Sequence, residues 1–127
     1  TILAPSNVNN AKECLEFAIK HNGPVAIKYP KYLPLGSNSF IPNKWNIELP
    51  LANINVITYG ADVEPLRELL SEYNVGLINA LTIKPIDLEV LDKLVNTKVI
   101  VYEQSNGTGS LFDLINKYYV NKKGGKL

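Results

Sequence analysis

Apolar positions along the chain follow two rhythms. Short blocks rich in Val, Ile and Leu occur at 1–5 ("TILAP"), 24–30 ("PVAIKYP"), 54–60 ("INVITYG"), 75–81 ("VGLINAL") and 98–104 ("KVIVYEQ"). Their length and bounding Gly, Pro and polar residues predict strands. Between them, apolar residues recur at three and four. Val8, Ala11, Leu15, Ala18 and Ile19 do so over residues 7–21. Val63, Leu66, Leu69, Leu70 and Tyr73 do so after Asp62, and Leu88, Leu91, Leu94 and Val95 after Asp87. Leu111, Leu114, Ile115 and Tyr118 do so after Ser110. Each set predicts a helix with one face turned to the core. Ser6, Asp62, Asp87 and Ser110 are the expected N-caps, and Asn22-Gly23 ends the first helix.

The first strand, helix and second strand form a β-α-β unit, which places the two strands parallel with a right-handed crossover. Residues 32–50, "YLPLGSNSFIPNKWNIELP", break the pattern. Prolines, a Gly-Ser-Asn-Ser cluster and no sustained period mark a linker or irregular segment. Phe40 and Trp45 argue that it packs on something. Strands alternating with helices then resume to the end. The fold class expected is α/β, a three-layer arrangement around a mostly parallel sheet, with no repeat of fixed period.

Composition narrows the function classes. The chain has 127 residues, 13 basic and 12 acidic side chains and a net charge of +1. That balance offers no electrostatic ground for binding nucleic acid or an anionic membrane. One cysteine, Cys14, cannot form an internal disulfide, as expected of a cytoplasmic protein. No apolar run approaches the roughly 20 residues that span a bilayer, and the start lacks a signal-peptide pattern. A chain that begins at Thr1 and contains no methionine is expected to be a processed product or an excised fragment.

Candidate chemistry is sparse. His21 is the only histidine; near a helix end it suits the negative end of the dipole better than a metal site or triad. Cys14 lies near the apolar stripe and reads as core. "GTGS" at 107–110 opens a helix after a strand, where anions sit, but lacks P-loop length and lysine; a tight turn is the better account of it. "KKGGKL" at 122–127 reads as a solvated tail. Lys84, Asp87 and Glu103 fall at strand ends and are expected in structural or interface roles. Lys28 and Lys31 flank Tyr29-Pro30 at the end of the second strand, either as solvated charges or as cations presented at the sheet edge where ligands gather.

The order of these features carries a resemblance. "LAPSNVNNAKECLEFAIKHNGPVAIKYPK", an irregular segment, "ITYGADVEPLRELL", "VGLINALTIKPID" and "VIVYEQ" followed by "GTGS" resemble the C-terminal third of the deoxyxylulose-phosphate synthases. These belong to the transketolase-like, thiamine-diphosphate-dependent family. The similarity runs along nearly the whole chain and is strongest in "GPVAIKYPK" and "INALTIKPID". The family's Tyr-Pro-Arg-Gly is here Tyr29-Pro30-Lys31-Tyr32, and its Asn-Ala-Arg-Phe is Asn79-Ala80-Leu81-Thr82. Its Glu-Glu-Asn and glycine turn is shortened to Glu103 through Ser110.

The resemblance implies a division into three. Residues 1–31 would be the tail of a pyrimidine-binding domain, a β-α-β remnant. Residues 32–50 would be a linker, and 51–127 a transketolase C-terminal domain, truncated. The whole enzyme would be a homodimer using thiamine diphosphate and magnesium to condense pyruvate, with decarboxylation, and glyceraldehyde 3-phosphate. No catalytic or metal-ligating residue is expected in this chain, no cofactor bound to it, and no activity from it alone. Lys31, with Lys28 beside it, would hold the substrate phosphate. A transketolase, a 2-oxoacid dehydrogenase β-subunit and a stand-alone dimerisation or binding module are the alternatives.

Overall fold

The computed structural model describes residues 1–36, 39–104 and 107–122. The expected tail at 122–127 and the opening of the turn before Gly107 therefore lie largely outside the described residues. The elements in order are β1 (Ile2–Leu3), α1 (Val8–Lys20), β2 (Ala26–Ile27), β3 (Asn46–Leu49) and β4 (Ile54–Thr58). A short 3-10 turn (Gly60–Asp62) leads into α2 (Val63–Leu70), followed by β5 (Gly76–Asn79), β6 (Thr82–Lys84), α3 (Leu88–Lys93), β7 (Lys98–Val101) and α4 (Leu111–Lys122). The chain is α/β.

Two sheets share the strands, in the orders β2-β1-β6 and β3-β5-β4-β7. β1 and β2 are parallel with Ile2 opposite Ala26, as the crossover rule requires. β4 is parallel to both β5 and β7. Each sheet also carries one antiparallel edge strand that the periodicity does not announce. β3 lies in the segment read as irregular and pairs with β5, Asn46 opposite Asn79. β6 follows β5 by two residues and turns back onto β1. It has too few residues to show a period of its own, and its pairing is decided by a partner eighty residues away in sequence, at Leu3 and Thr82.

The larger core joins Ile57, Ile78 and Ala80 of the four-stranded sheet to Val90, Leu91 and Leu94 of α3 and Leu111, Ile115 and Tyr119 of α4. Leu91, Leu94, Leu111 and Ile115 are positions the periodicity turns inward; Val90 and Tyr119 join them although the periodicity did not assign them, and Leu88, assigned inward, is exposed. Trp45 seals it, its indole N–H donating to the Thr82 carbonyl at 2.7 Å. Phe40 joins Leu3, Cys14 and Leu81 in a smaller core beneath α1. Phe40 and Trp45 of the 32–50 segment are thus buried, as expected, while Tyr32 at its start is exposed.

Several local expectations are corrected. The first helix is capped by Asn7, not Ser6, through a reciprocal box with Asn10. Asp62 makes no capping bond to α2. On α2, Val63 is buried but Leu69 is exposed, and the helix ends at Leu70, short of Tyr73, which is exposed as well. On α1 the stripe faces the wrong way for a core: Val8, Leu15 and Ile19 are exposed while Asn10 and Cys14 are buried. Cys14 and Phe17 pack inward in the smaller core, and the inward position of the first turn, Asn10, is polar because it serves a hydrogen-bond network. The Asn10 amide oxygen accepts from the backbone N–H groups of Ser6 and Asn7 at 2.9 and 3.1 Å. Its amide nitrogen and that of Asn79 both donate to Ser6 Oγ, at 3.0 and 2.9 Å. This network fastens the start of α1 to the end of β5.

Candidate functional site

A cavity of about 290 Å³ opens where β2, β4 and β7 end. Lys28, Tyr29 and Pro30 line it from one stretch of chain, Tyr59 through Asp62 from a second, and Glu103 with Gln104 from a third. All three contributions come from residues just past the carboxyl ends of parallel strands, the edge at which open α/β sheets gather ligands. Gly60 makes the turn in the second stretch possible, since its φ of +71° suits a residue without Cβ.

The polar groups here are ordered by one another. Glu103 is partly buried and its carboxylate caps α4, accepting from the N–H of Leu111 at 3.1 Å and of Phe112 at 2.8 Å. The same Oε1 accepts from the Tyr59 hydroxyl at 3.1 Å. Lys28 Nζ stands 5.4 Å from the centre of the Tyr59 ring, within cation–π range. Asp62 lines the cavity as well.

Lys28 and Glu103 therefore meet at one site. Lys31 is exposed and is not among the residues lining the cavity. Lys84 is exposed at the end of β6, before a cis peptide bond to Pro85. Asp87 is buried and structural: it caps α3 through Val90 N at 3.3 Å and accepts from Trp45 N at 2.9 Å. The start of α4 is already supplied, with Ser110 Oγ accepting from Asp113 N and Asp113 accepting from Gly109 N. With Glu103 added, the tight-turn account of residues 107–110 prevails over an anion seat. Burial, and then the Glu13 carboxylate, push the Cys14 thiol up to about 12, so it stays protonated at neutral pH. His21 is exposed at the C-terminal end of α1, stacked on Phe17.

The sequence marks Asp62 only as a helix cap and gives Tyr59 and Gly60 no functional role. A tyrosine followed by glycine at a strand's carboxyl end was the available signal, but its neighbours at the site come from distant stretches.

No family model matches the sequence. Among curated proteins, a stretch of 1-deoxy-D-xylulose-5-phosphate synthase from Clostridium tetani (strain Massachusetts / E88) is 35% identical over 118 residues, 84% of this chain and 19% of the relative. The chain is similar to a C-terminal portion of 1-deoxy-D-xylulose-5-phosphate synthase. The enzyme of that name from Francisella tularensis subsp. tularensis (strain WY96-3418) matches 95% of the chain at 28% identity, over 21% of its own length. The chain thus spans about a fifth of the length of the synthases it matches. A solved structure described as a split gene transketolase, inactive beta4 tetramer, superimposes with a TM-score of 0.74 at 18% identity, over 96% of this chain and 44% of that one. This likeness establishes the transketolase-like fold.

Proposed function

We propose that this chain serves a 1-deoxy-D-xylulose-5-phosphate synthase as its phosphate-binding edge. The whole enzyme condenses pyruvate, with decarboxylation, and glyceraldehyde 3-phosphate, and works as a cytoplasmic homodimer. Residues 1–31 close its pyrimidine-binding domain, 32–50 cross over, and 51–127 begin its C-terminal domain. The observation that carries this is the match along 95% of the chain; a cavity at the strand ends, lined in part by Lys28, supports it. Lys31 and Lys28 supply cations to the substrate phosphate, as compact point charges rather than the bidentate fork of an arginine.

Thiamine diphosphate, with magnesium, would supply the carbanion chemistry of such an enzyme. Among the described residues no group of three or more His, Cys, Asp or Glu is placed to hold a metal ion. The residues here do not fit that centre, and no step is assigned to them through it.

The test is a Clostridium tetani synthase carrying this chain in place of its matching segment. Lys31→Ala should raise the KM for glyceraldehyde 3-phosphate by roughly ten- to a hundredfold, the worth of a charge-assisted bond. Lys28→Ala should raise it too, while the KM for pyruvate stays put. A folded, active chimera whose aldehyde KM ignores both substitutions would defeat the proposal.

A second function is favoured by the outward stripe of α1: a non-catalytic dimerisation or binding module. Sedimentation of the isolated chain should show association that Leu15→Lys weakens. A monomer at high concentration removes this alternative.

A further inference from the structure

We infer that Tyr59 is a positioning residue that makes Lys28 an effective anion-binding cation of the strand-end cavity, with Glu103 holding the tyrosine in place. The inference rests on the phosphate-binding edge proposed above and names the device within it.

Three contacts form a chain. Glu103 is fixed by two backbone N–H groups of α4. Such bonds are charge-assisted, and the positive end of the helix absorbs much of the carboxylate's field. Glu103 then receives the Tyr59 hydroxyl at 3.1 Å, which anchors the tip of the ring and limits its swing across the cavity. The ring in turn underlies the Lys28 ammonium at 5.4 Å.

A lysine at a strand end normally samples many rotamers, and binding an anion must first restrict them. A ring face attracts the ammonium through its quadrupole without neutralising it. A carboxylate partner would do the opposite, cancelling the charge that a ligand needs. Among the described residues no ion pair involves Lys28. Lys28 is thus oriented over the cavity and still available for an anion. Lys31, exposed and outside the lining, has no such support. Asp62 also lines the cavity; its carboxylate would accept from a ligand hydroxyl and repel an anion set beside it, so the anionic group belongs at Lys28.

The 127-residue chain titrated with inorganic phosphate, followed by NMR of its lysine side chains, tests this. Lys28 should show an aromatic ring-current shift before addition and a saturable shift on addition. Tyr59→Leu should abolish the ring-current shift and weaken phosphate binding about two- to fivefold, the range expected for a cation–π contact at a partly exposed site. Tyr59→Phe keeps the ring and should retain most of both, while losing the restraint from Glu103. Melting temperatures of the variants separate positioning from loss of fold, and Tyr59→Phe remains informative if Tyr59→Leu is unstable. In the isolated chain Lys28→Ala should remove the saturable response and Lys31→Ala should leave most of it, because Lys31 lies outside the cavity and its effect on the aldehyde KM is expected only in the whole enzyme.

No saturable shift in the unsubstituted chain overturns the anion site, and the function proposed above loses its cavity with it. A saturable shift that neither Tyr59 substitution weakens overturns the positioning role alone. A response lost with Lys31→Ala and kept with Lys28→Ala assigns the anion to the other lysine and likewise ends this inference.

Discussion

The helices of the first and last parts of the chain carry apolar stripes of the same kind and put them to opposite uses. On α3 and α4 the stripe is the core: Leu91, Leu94, Leu111 and Ile115 are each at most 2% exposed. On α1 the stripe lies outward, with Leu15 at 55% and Ile19 at 75% exposure, and the helix is held instead by Asn7, Asn10 and Cys14. A periodic apolar face says that something apolar should cover it. It does not say whether the cover is the chain's own sheet. In the second region burial holds the helices; in the first, a hydrogen-bond network fixes the helix start, although the Asn7 amide nitrogen and the Asn79 amide oxygen are buried without a partner among the described residues.

That contrast can be broken most sharply by truncating one leucine from each stripe. Leu91→Ala should cost about 2–5 kcal/mol in denaturant unfolding, the range for a large-to-small change in a packed core. Leu15→Ala should cost at most about 0.5 kcal/mol, as surface changes usually do. Equal losses would mean that α1 is packed through its outer face in solution.

Polar dependence of the first region is tested by Asn10→Ala. It leaves the buried N–H groups of Ser6 and Asn7 without their acceptor. A loss of about 1–3 kcal/mol is expected, despite the removal of a side chain with no hydrophobic value. A near-neutral result would show that water replaces the amide and that the network is not what secures the helix.

A pH titration sharpens the other side of the comparison. Tyr119 is buried in the larger core and donates to the Leu91 carbonyl at 2.7 Å. Burial first, then Tyr118 and Asp92, raise its pKa from 10.0 to about 12. The folded state therefore keeps a proton that the unfolded chain releases. Its contribution is complete below pH 10 and falls away as the pH rises towards 12. Tyr119→Phe should flatten that alkaline loss in unfolding measured from pH 9 upward, even though it also removes a hydrogen bond. Cys14 shifts in the same sense, so Cys14→Ala is the companion control.

The smallest effect belongs to Ile19→Lys. Placing a charge at a position already 75% exposed should change stability by less than about 0.5 kcal/mol. Self-association, followed by sedimentation, should fall. Association that persists unchanged would exonerate the α1 stripe as a contact surface.

Much of the local structure follows from the residues in order. The strand blocks, the four helices, the capping of α3 by Asp87 and of α4 by Ser110, and the parallel β1–β2 pair are all legible, because each depends on neighbours within a few positions. Lys28 and Glu103 are legible as strand-end charges for the same reason. Tertiary structure alone decided the rest. β3 and β6 are too short to declare themselves and exist because β5 and β1 offer unpaired edges. The direction of the α1 stripe was settled by a network reaching Asn79, far along the chain. The cavity arises only when the ends of β2, β4 and β7 are brought side by side, giving Lys28 a ring to stand on and Tyr59 a carboxylate to hold it. Sequence encodes the preference of each segment; contacts between segments, whose strength depends on distance in space, choose which preference is honoured.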